Sequence, residues 1–430
     1  MLRFAQTCDA IAATTKKLQK TAIVAEYLKS RTIDKSAVSA VFLSGSAFAA
    51  WEETTLQIGG SILWRLVAEL SGRDESVLTA AYRKYGDLGA VAGEMLAERS
   101  GQGVTILEVD DAFRQIAAAR GSAAKAALIR DLLERARPLE AKYIAKIMTG
   151  DLRIGLKESL VEEAIAKAYD ATLAEVQRAN MLLGDIGETL KSAVSGQLAE
   201  AKMRLFHPLG FMLASPIESP EEGLSYFAEA AVEDKYDGIR AQAHVSESEV
   251  KFFSRTRDEI TASFPELPGG LLGLPQDAVL DGEIVAWEYP QTQEVVDELP
   301  SEVGEMKAAE LGRARPFSVL QQRLGRKKVN EKMLREIPVA YLVFDVLYVG
   351  GELLIHRPLR ERALILDALL AGGRKVIHHR VTESQRKADI PFGISLPLYV
   401  AVVDFVVWDC HCPEHPVPRH YLASRHPFHP

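Results

Sequence analysis

The stretch VEDKYDGIRAQAH, residues 232–244, decides how the second half of this 430-residue chain folds. From Ile239 onward it alternates, Ile239, Ala241 and Ala243 against Arg240, Gln242 and His244. That is the period of a strand with two unlike faces. The SESE that follows Val245 turns it into VKFFS, so a β-hairpin is expected here. Just before the strand stands one lysine, Lys235, followed by an Asp237-Gly238 turn. A lysine at such a position is ordinarily a solvated charge. A nucleophilic lysine must lose its proton, and with an ordinary pKa only about one in a thousand is neutral near pH 7.4, a deficit of roughly 4 kcal/mol. Neighbouring cations or desolvation reduce that deficit, and Arg240 is a candidate cation. Glu233, Asp234 and Asp237 act in the opposite direction, and by alternation Glu233 shares a face with Lys235. From these residues alone both readings of Lys235 stand.

The flanking texture defines the domains. Residues 1–202 read as helical. In ESLVEEAIAKAYD the apolar positions Leu160, Val161, Ala164, Ile165 and Ala168 form one helical face. Ser159 with Glu162, and Thr172 with Glu175, fit capping boxes. Residues 203–222 hold Pro208, Pro216 and Pro220 and read as an ordered linker. Residues 223–390 carry long β-type runs, AVLDGEIVAWE and VAYLVFDVLYVGGELLIH, the second turning at Gly350-Gly351. Between these runs, residues 291–336 are polar and read as partly helical. Residues 391–430 differ again. They are rich in proline and histidine and read as a disordered tail, foreign or frame-shifted relative to the domain before it. Cys410, Cys412 and His415 lie close in sequence there, but their spacing matches no usual zinc pattern.

Bulk composition narrows the class. The net charge of −8 excludes a uniformly basic coat, though not a local basic groove. Three cysteines make no disulfide framework, so a reducing, cytoplasmic setting is expected. The longest apolar run, residues 394–408, carries Pro397 and Asp404 and is too short to span a bilayer, so no membrane partner is expected.

Five segments occur in a telling order. KYDGIR has the form K-x-D-G-x-R. FSRTRDEITASFPEL (253–267) carries Arg255, LDGEIVAW (280–287) carries Glu283, PFSVLQQRLGRK (316–327) follows, and YLVFDVLY (341–348) carries Phe344. Singly each is weak. Together they resemble the ATP-dependent DNA ligases of the bacterial and archaeal type, which place a helical DNA-binding domain before the catalytic core. FAQTCDAIAATTKKLQKTAIVAEYL, YIAKIMTGDLRIGLKESLVEEAIAKAY and FMLASPIES are similar to that family too, so the resemblance spans residues 3–385.

The resemblance implies an all-α DNA-binding domain followed by an α+β adenylation domain with antiparallel sheets. It implies that Lys235 attacks the α-phosphate of ATP, leaving AMP on its nitrogen. AMP then passes to the 5′-phosphate of nicked double-stranded DNA, and the 3′-hydroxyl displaces it, as repair, replication and recombination require. Arg240, Arg255 and Mg²⁺ would offset charge on the phosphates. Glu283 would accept from the ribose hydroxyls or hold the metal; otherwise it is a turn carboxylate. Phe344 would stack on adenine, or else is a core residue. Glu233 would accept from the adenine amine, or else pairs with Lys235. Lys16, Lys17, Lys20 and Arg153 are candidate DNA contacts, and a monomer is expected. GDLRIGLK (150–157) nearly spells a P-loop, but Leu156 separates Gly155 from Lys157 and no apolar strand precedes it.

The family's later lysine motifs and oligonucleotide-binding barrel do not follow Phe344 in this sequence. The expectation is therefore a ligase-type chain, incomplete at its C-terminus, with little or no ligation of its own. Two alternatives stay open: an RNA ligase or capping-type nucleotidyltransferase, and a non-catalytic DNA-binding remnant.

Overall fold

The computed structural model describes residues 1–52, 54–212, 214–226, 235–288, 313–324 and 329–380, with backbone only for residues 372–380. Glu233, Asp234, the polar stretch 291–312 and the whole 391–430 tail, with its cysteine–histidine cluster, lie outside the described residues. The chain divides into two compact units, Met1–Gly210 and Phe211–Pro430.

The first unit is all helical. Its described residues form twelve α-helices and one short 3₁₀ turn. Phe4, Phe42 and Phe113 meet in one core, with ring centroids 5.6–6.1 Å apart between neighbours. The Thr172–Glu175 capping box forms as the sequence indicates: Glu175 N–H donates to Thr172 Oγ1 at 3.2 Å, and Thr172 N–H donates to Glu175 Oε2 at 3.0 Å. The expected Ser159–Glu162 box does not form. The helix Glu158–Ala168 starts two residues earlier, with Lys157 as its cap, so Ser159 lies inside the first turn.

The near-P-loop at residues 150–157 is a tight connection between two helices. Gly150, Arg153 and Gly155 all take left-handed backbone (φ +72°, +50° and +60°). Lys20 closes it from below, its Nζ donating to the carbonyls of Ile154 at 2.6 Å and Gly155 at 2.9 Å. Named above as a candidate DNA contact, Lys20 is instead buried, its charge satisfied by this loop. Arg153 is exposed and braced by Asp151 and by the Gly86 carbonyl.

The second unit is built on one antiparallel sheet. Its strands are β1 (Ile239–Val245), β2 (Val250–Ser254), β3 (Ala278–Glu288), β4 (Arg313–Ala314), β5 (Val339–Val349) and β6 (Glu352–Leu353), in the order β2-β1-β3-β5-β6, with β4 on β3. The β1–β2 hairpin and the Gly350-Gly351 turn are where the sequence placed them. One face buries Ala241, Ala243, Phe252, Leu280, Ile284 and Val343 against Leu366 and Leu370 of the helix Leu359–Arg380. The polar alternates on β1 are buried as well, Gln242 and His244 included, so both faces of the sheet are covered. Among its described residues, PFSVLQQRLGRK contributes a short helix, Phe317–Leu320. Beyond it Arg323 is fully buried. It makes a bidentate pair with Glu266 (2.5 and 2.9 Å) and donates to the carbonyls of Ser263 and Ile337.

The β3–β5 register shifts twice. Gly282 faces Val343 while Asp281 faces Asp345, so Phe344 is an extra residue on β5. Such a bulge turns consecutive side chains to one side of a strand. It brings both Phe344 and Asp345 to the face that carries Arg240, Asp281 and Glu283. Gly282 makes room on the other face: the Tyr341 ring crosses it, and the Tyr341 hydroxyl bonds to the carbonyls of Ala241 at 2.9 Å and Leu280 at 3.2 Å.

Candidate active site

Strand pairing assembles most of the singled-out residues without any long loop. β1 runs antiparallel to β3 with Arg240 opposite Glu283 and Ile239 opposite Ile284. Continuing that register, Gly238 falls beside the β3 backbone, and the fit is close. A Cβ on Gly238 would sit 2.2 Å from the Ile284 carbonyl oxygen and 2.7 Å from Val285 Cγ1. The Gly238 N–H donates to Glu283 Oε1 at 3.1 Å. The turn that carries Lys235 is thus fixed to the third strand by one backbone-to-carboxylate bond. Tyr236 packs on Val285, Trp287, Ala340 and Leu342, anchoring the same turn from the side. Lys235 itself is exposed, as is Asp237.

Glu283 is half-buried, and burial pushes its carboxyl up to about 7. The Gly238 N–H and the charges of Arg240 and Lys235 pull it back down, while Asp281 adds to the rise. The sign of its linkage to folding follows. A carboxyl raised above its unfolded value stabilises the fold when protonated. That contribution is complete below about pH 4.5 and is lost as pH rises toward 7. Glu283→Gln is therefore expected to stabilise the second unit at pH 8 by about 1–2 kcal/mol, after discounting for solvent screening, and to be nearly neutral at pH 4.5. Urea unfolding at the two pH values measures this; equal effects at both would contradict it.

Arg240 is held on every side. Its Nε and Nη2 grip Asp281 at 3.2 and 2.8 Å, and Nη1 donates to the Met212 carbonyl at 2.6 Å. Its guanidinium carbon lies 5.2 Å from the Phe211 ring centroid and 5.7 Å from that of Phe344. Burial works against its charge, but the bonds and charge of Asp281 prevail and raise its pKa. Asp345, facing Asp281 across the strands, has its own partner: Arg362 binds it at 2.8 and 2.9 Å. Two neighbouring carboxylates would repel; each is matched by a bidentate arginine. Phe344 is half-buried, its ring beside Arg240. Arg255 follows the Ala241–Ser254 pair, in the turn that Ser254 closes with Asp258, with its side chain exposed.

The start of β1 and the middle of β3 and β5 therefore bring Arg240, Glu283 and Phe344 together, with the charge of Lys235 acting on Glu283 and Arg255 past the end of β2. Sequence reasoning missed Asp281, Asp345, Arg362 and Phe211. Asp281 left a trace, a second carboxylate close to Glu283 in a largely apolar strand. The pairing of Asp345 with Arg362, 17 residues on, left none. Among the described residues, no group of three or more His, Cys, Asp or Glu is arranged to hold a metal ion. None of their helices is long and apolar enough to cross a membrane.

Residues 1–166 match the family described as DNA ligase N terminus, and residues 211–390 match the ATP dependent DNA ligase domain. The chain belongs to the ATP-dependent DNA ligase family. It is 56% identical over 365 residues to a probable DNA ligase of Koribacter versatilis, covering 84% of this chain and 60% of that protein. It is 32% identical over 373 residues to a DNA ligase of Methanopyrus kandleri, covering 83% and 63% of the two chains. The chain thus spans about 60% of the length of these relatives. Among solved structures it aligns with one named Pmar-Lig_Pre over 87% of this chain and 64% of that one, at 14% identity and a TM-score of 0.46.

Proposed function

We propose that the second unit performs ATP-dependent adenylyl transfer as the opening step of sealing nicks in duplex DNA. In this reading the Lys235 Nζ attacks the α-phosphorus of ATP. The new N–P bond forms as the bond to pyrophosphate breaks and the amine gives up its proton. The adenylate then moves to a DNA 5′-phosphate and is displaced by the 3′-hydroxyl. The observation that supports the reading is the Gly238–Glu283 bond beneath the lysine turn, with the charge of the exposed Lys235 acting on Glu283.

Phe344 would offer adenine an aromatic face, sequence-tolerant toward purines, held beside Arg240. Arg240 would act from its pair with Asp281, and Arg255, exposed at the edge, would meet the phosphates. Mg²⁺ is bound in such sites through one or two carboxylates plus substrate phosphates and water. Asp281 and Asp345 are both taken by arginines, so Glu283 is the site carboxylate that fits this role. When bound, the ion would offset phosphate charge. The helical unit would hold duplex DNA through its phosphates, with Lys16, Lys17 and Arg153 as exposed candidates, and the binding would weaken steeply with salt. Glu233 is proposed to contact the adenine amine. The domain limits 1–202, 203–222 and 223–390, the monomeric state and a cytoplasmic location stand as proposals beside it.

Incubation with α-labelled ATP or GTP and Mg²⁺, followed by a denaturing gel, tests the nucleotide class. Label from ATP alone is the expected result. Label from GTP alone would favour a capping-type enzyme, and none from either would favour a non-catalytic remnant.

A further inference from the structure

The helical unit contains a cavity of about 300 Å³, and the adenylation reading leaves it unexplained. Arg3, Arg31, Lys35 and Arg137 all line it. In a chain whose acids outnumber its bases, none of these four forms an ion pair among the described residues. Arg31 is half-buried, and its Nε is fully buried without a hydrogen-bond partner. Such an atom costs free energy unless something accepts from it. Glu140, the carboxylate in the lining, accepts through Oε2 from the backbone N–H of Arg137 at 2.8 Å and of Val104 at 3.3 Å.

The position separates this cavity from the loop at 150–157. Lys20, which closes that loop, and Lys16–Lys17 stand at the start of the helix Lys17–Lys29. Arg31 stands just past its other end, so a helix about 20 Å long lies between. The volume is near the lower limit for small-molecule sites, which suits a phosphate with a small attached group rather than a whole nucleotide. Guanidinium groups offer paired donors matched to phosphate oxygens.

We propose that this cavity is a phosphate-binding site, in which Arg31 and Lys35 provide the central donors and Arg3 and Arg137 close the rim. The phosphate comes either from the DNA backbone or from free phosphate. Two measurements on the full chain decide, comparing wild type with Arg31→Gln and, separately, Lys35→Gln, each checked for native helicity by circular dichroism. The first is the melting temperature in millimolar inorganic phosphate against chloride of matched ionic strength. The second is the salt dependence of binding to a nicked 5′-phosphorylated duplex. A phosphate-dependent rise of about 2–4 °C, absent in both variants, is expected for an occupied site. A salt slope lower by about 1 in each variant assigns the occupant to the DNA backbone. An unchanged slope with the phosphate-dependent rise assigns it to free phosphate. No rise and no change of slope overturns the proposal. Lys235 adenylation is expected to be unaltered in both variants, so this outcome is independent of that reading.

Discussion

Lys235→Ala is expected to abolish covalent adenylate capture. Intact-mass measurement after incubation with ATP and Mg²⁺ should show the wild-type chain heavier by one AMP and the variant unchanged. The effect is all-or-none because a methyl group cannot form the N–P bond. Lys235→Arg separates chemistry from charge. It keeps a cation beside Glu283, so ATP binding and fold should persist, yet a guanidinium does not deprotonate in a protein and should give no adduct. An exposed lysine has the access that attack on a large, charged nucleotide requires. It lacks the desolvation that activates buried lysines, so activation must come from the charges around it. An AMP adduct that persists in Lys235→Ala would remove this residue from the mechanism.

Gly238→Ala should have the second largest effect, although a single methyl is added. The new Cβ would lie 2.2 Å from the Ile284 carbonyl oxygen, a backbone atom within the β1–β3 ladder that cannot rotate away. Either the turn lifts off the strand or the ladder opens. Lifting the turn breaks the Gly238–Glu283 bond and carries Lys235 with it. A loss of about 2–4 kcal/mol in stability is expected, together with a fall of about 10²-fold in the rate of adduct formation, since displacements near 1 Å cost that much in a positioned site. Gly269→Ala is the control: nothing lies within 4 Å of its Cβ, and it should leave both quantities unchanged. Equal behaviour of the two variants, by thermal unfolding and adduct kinetics, would show that Gly238 is not constrained.

These predictions rest on a lysine, a glycine and a glutamate that stand in sequence as Lys235, Gly238 and Glu283. The Asp237-Gly238 turn was legible because short-range rules constrain it, whereas the roles of Lys235 and Glu283 came only from the family resemblance. An Asp-Gly turn ahead of an alternating run predicts a hairpin start, and the hairpin forms at Ile239–Ser254. Capping chemistry was legible where the side chain and the helix start coincide, as at Thr172, and failed at Ser159, where Lys157 takes the cap two residues earlier. Lys20 misled for a different reason. A lysine among other lysines resembles a nucleic-acid contact, and only the return of the chain 134 residues later reveals that it binds the Ile154 carbonyl.

By itself the sequence determined the division into a helical and a β-rich unit, the strand alternation of β1 and the identity of the lysine turn. Period and turn chemistry are local, and local rules suffice for them. Tertiary structure alone decided that Arg240 is locked to Asp281, that a bulge turns Phe344 and Asp345 to the same face, and that four cations without an ion pair among the described residues line a cavity in the helical unit. Each depends on register or on packing between segments far apart in the chain. A shift of one residue in a strand reverses which face a side chain joins, and no local pattern carries that information.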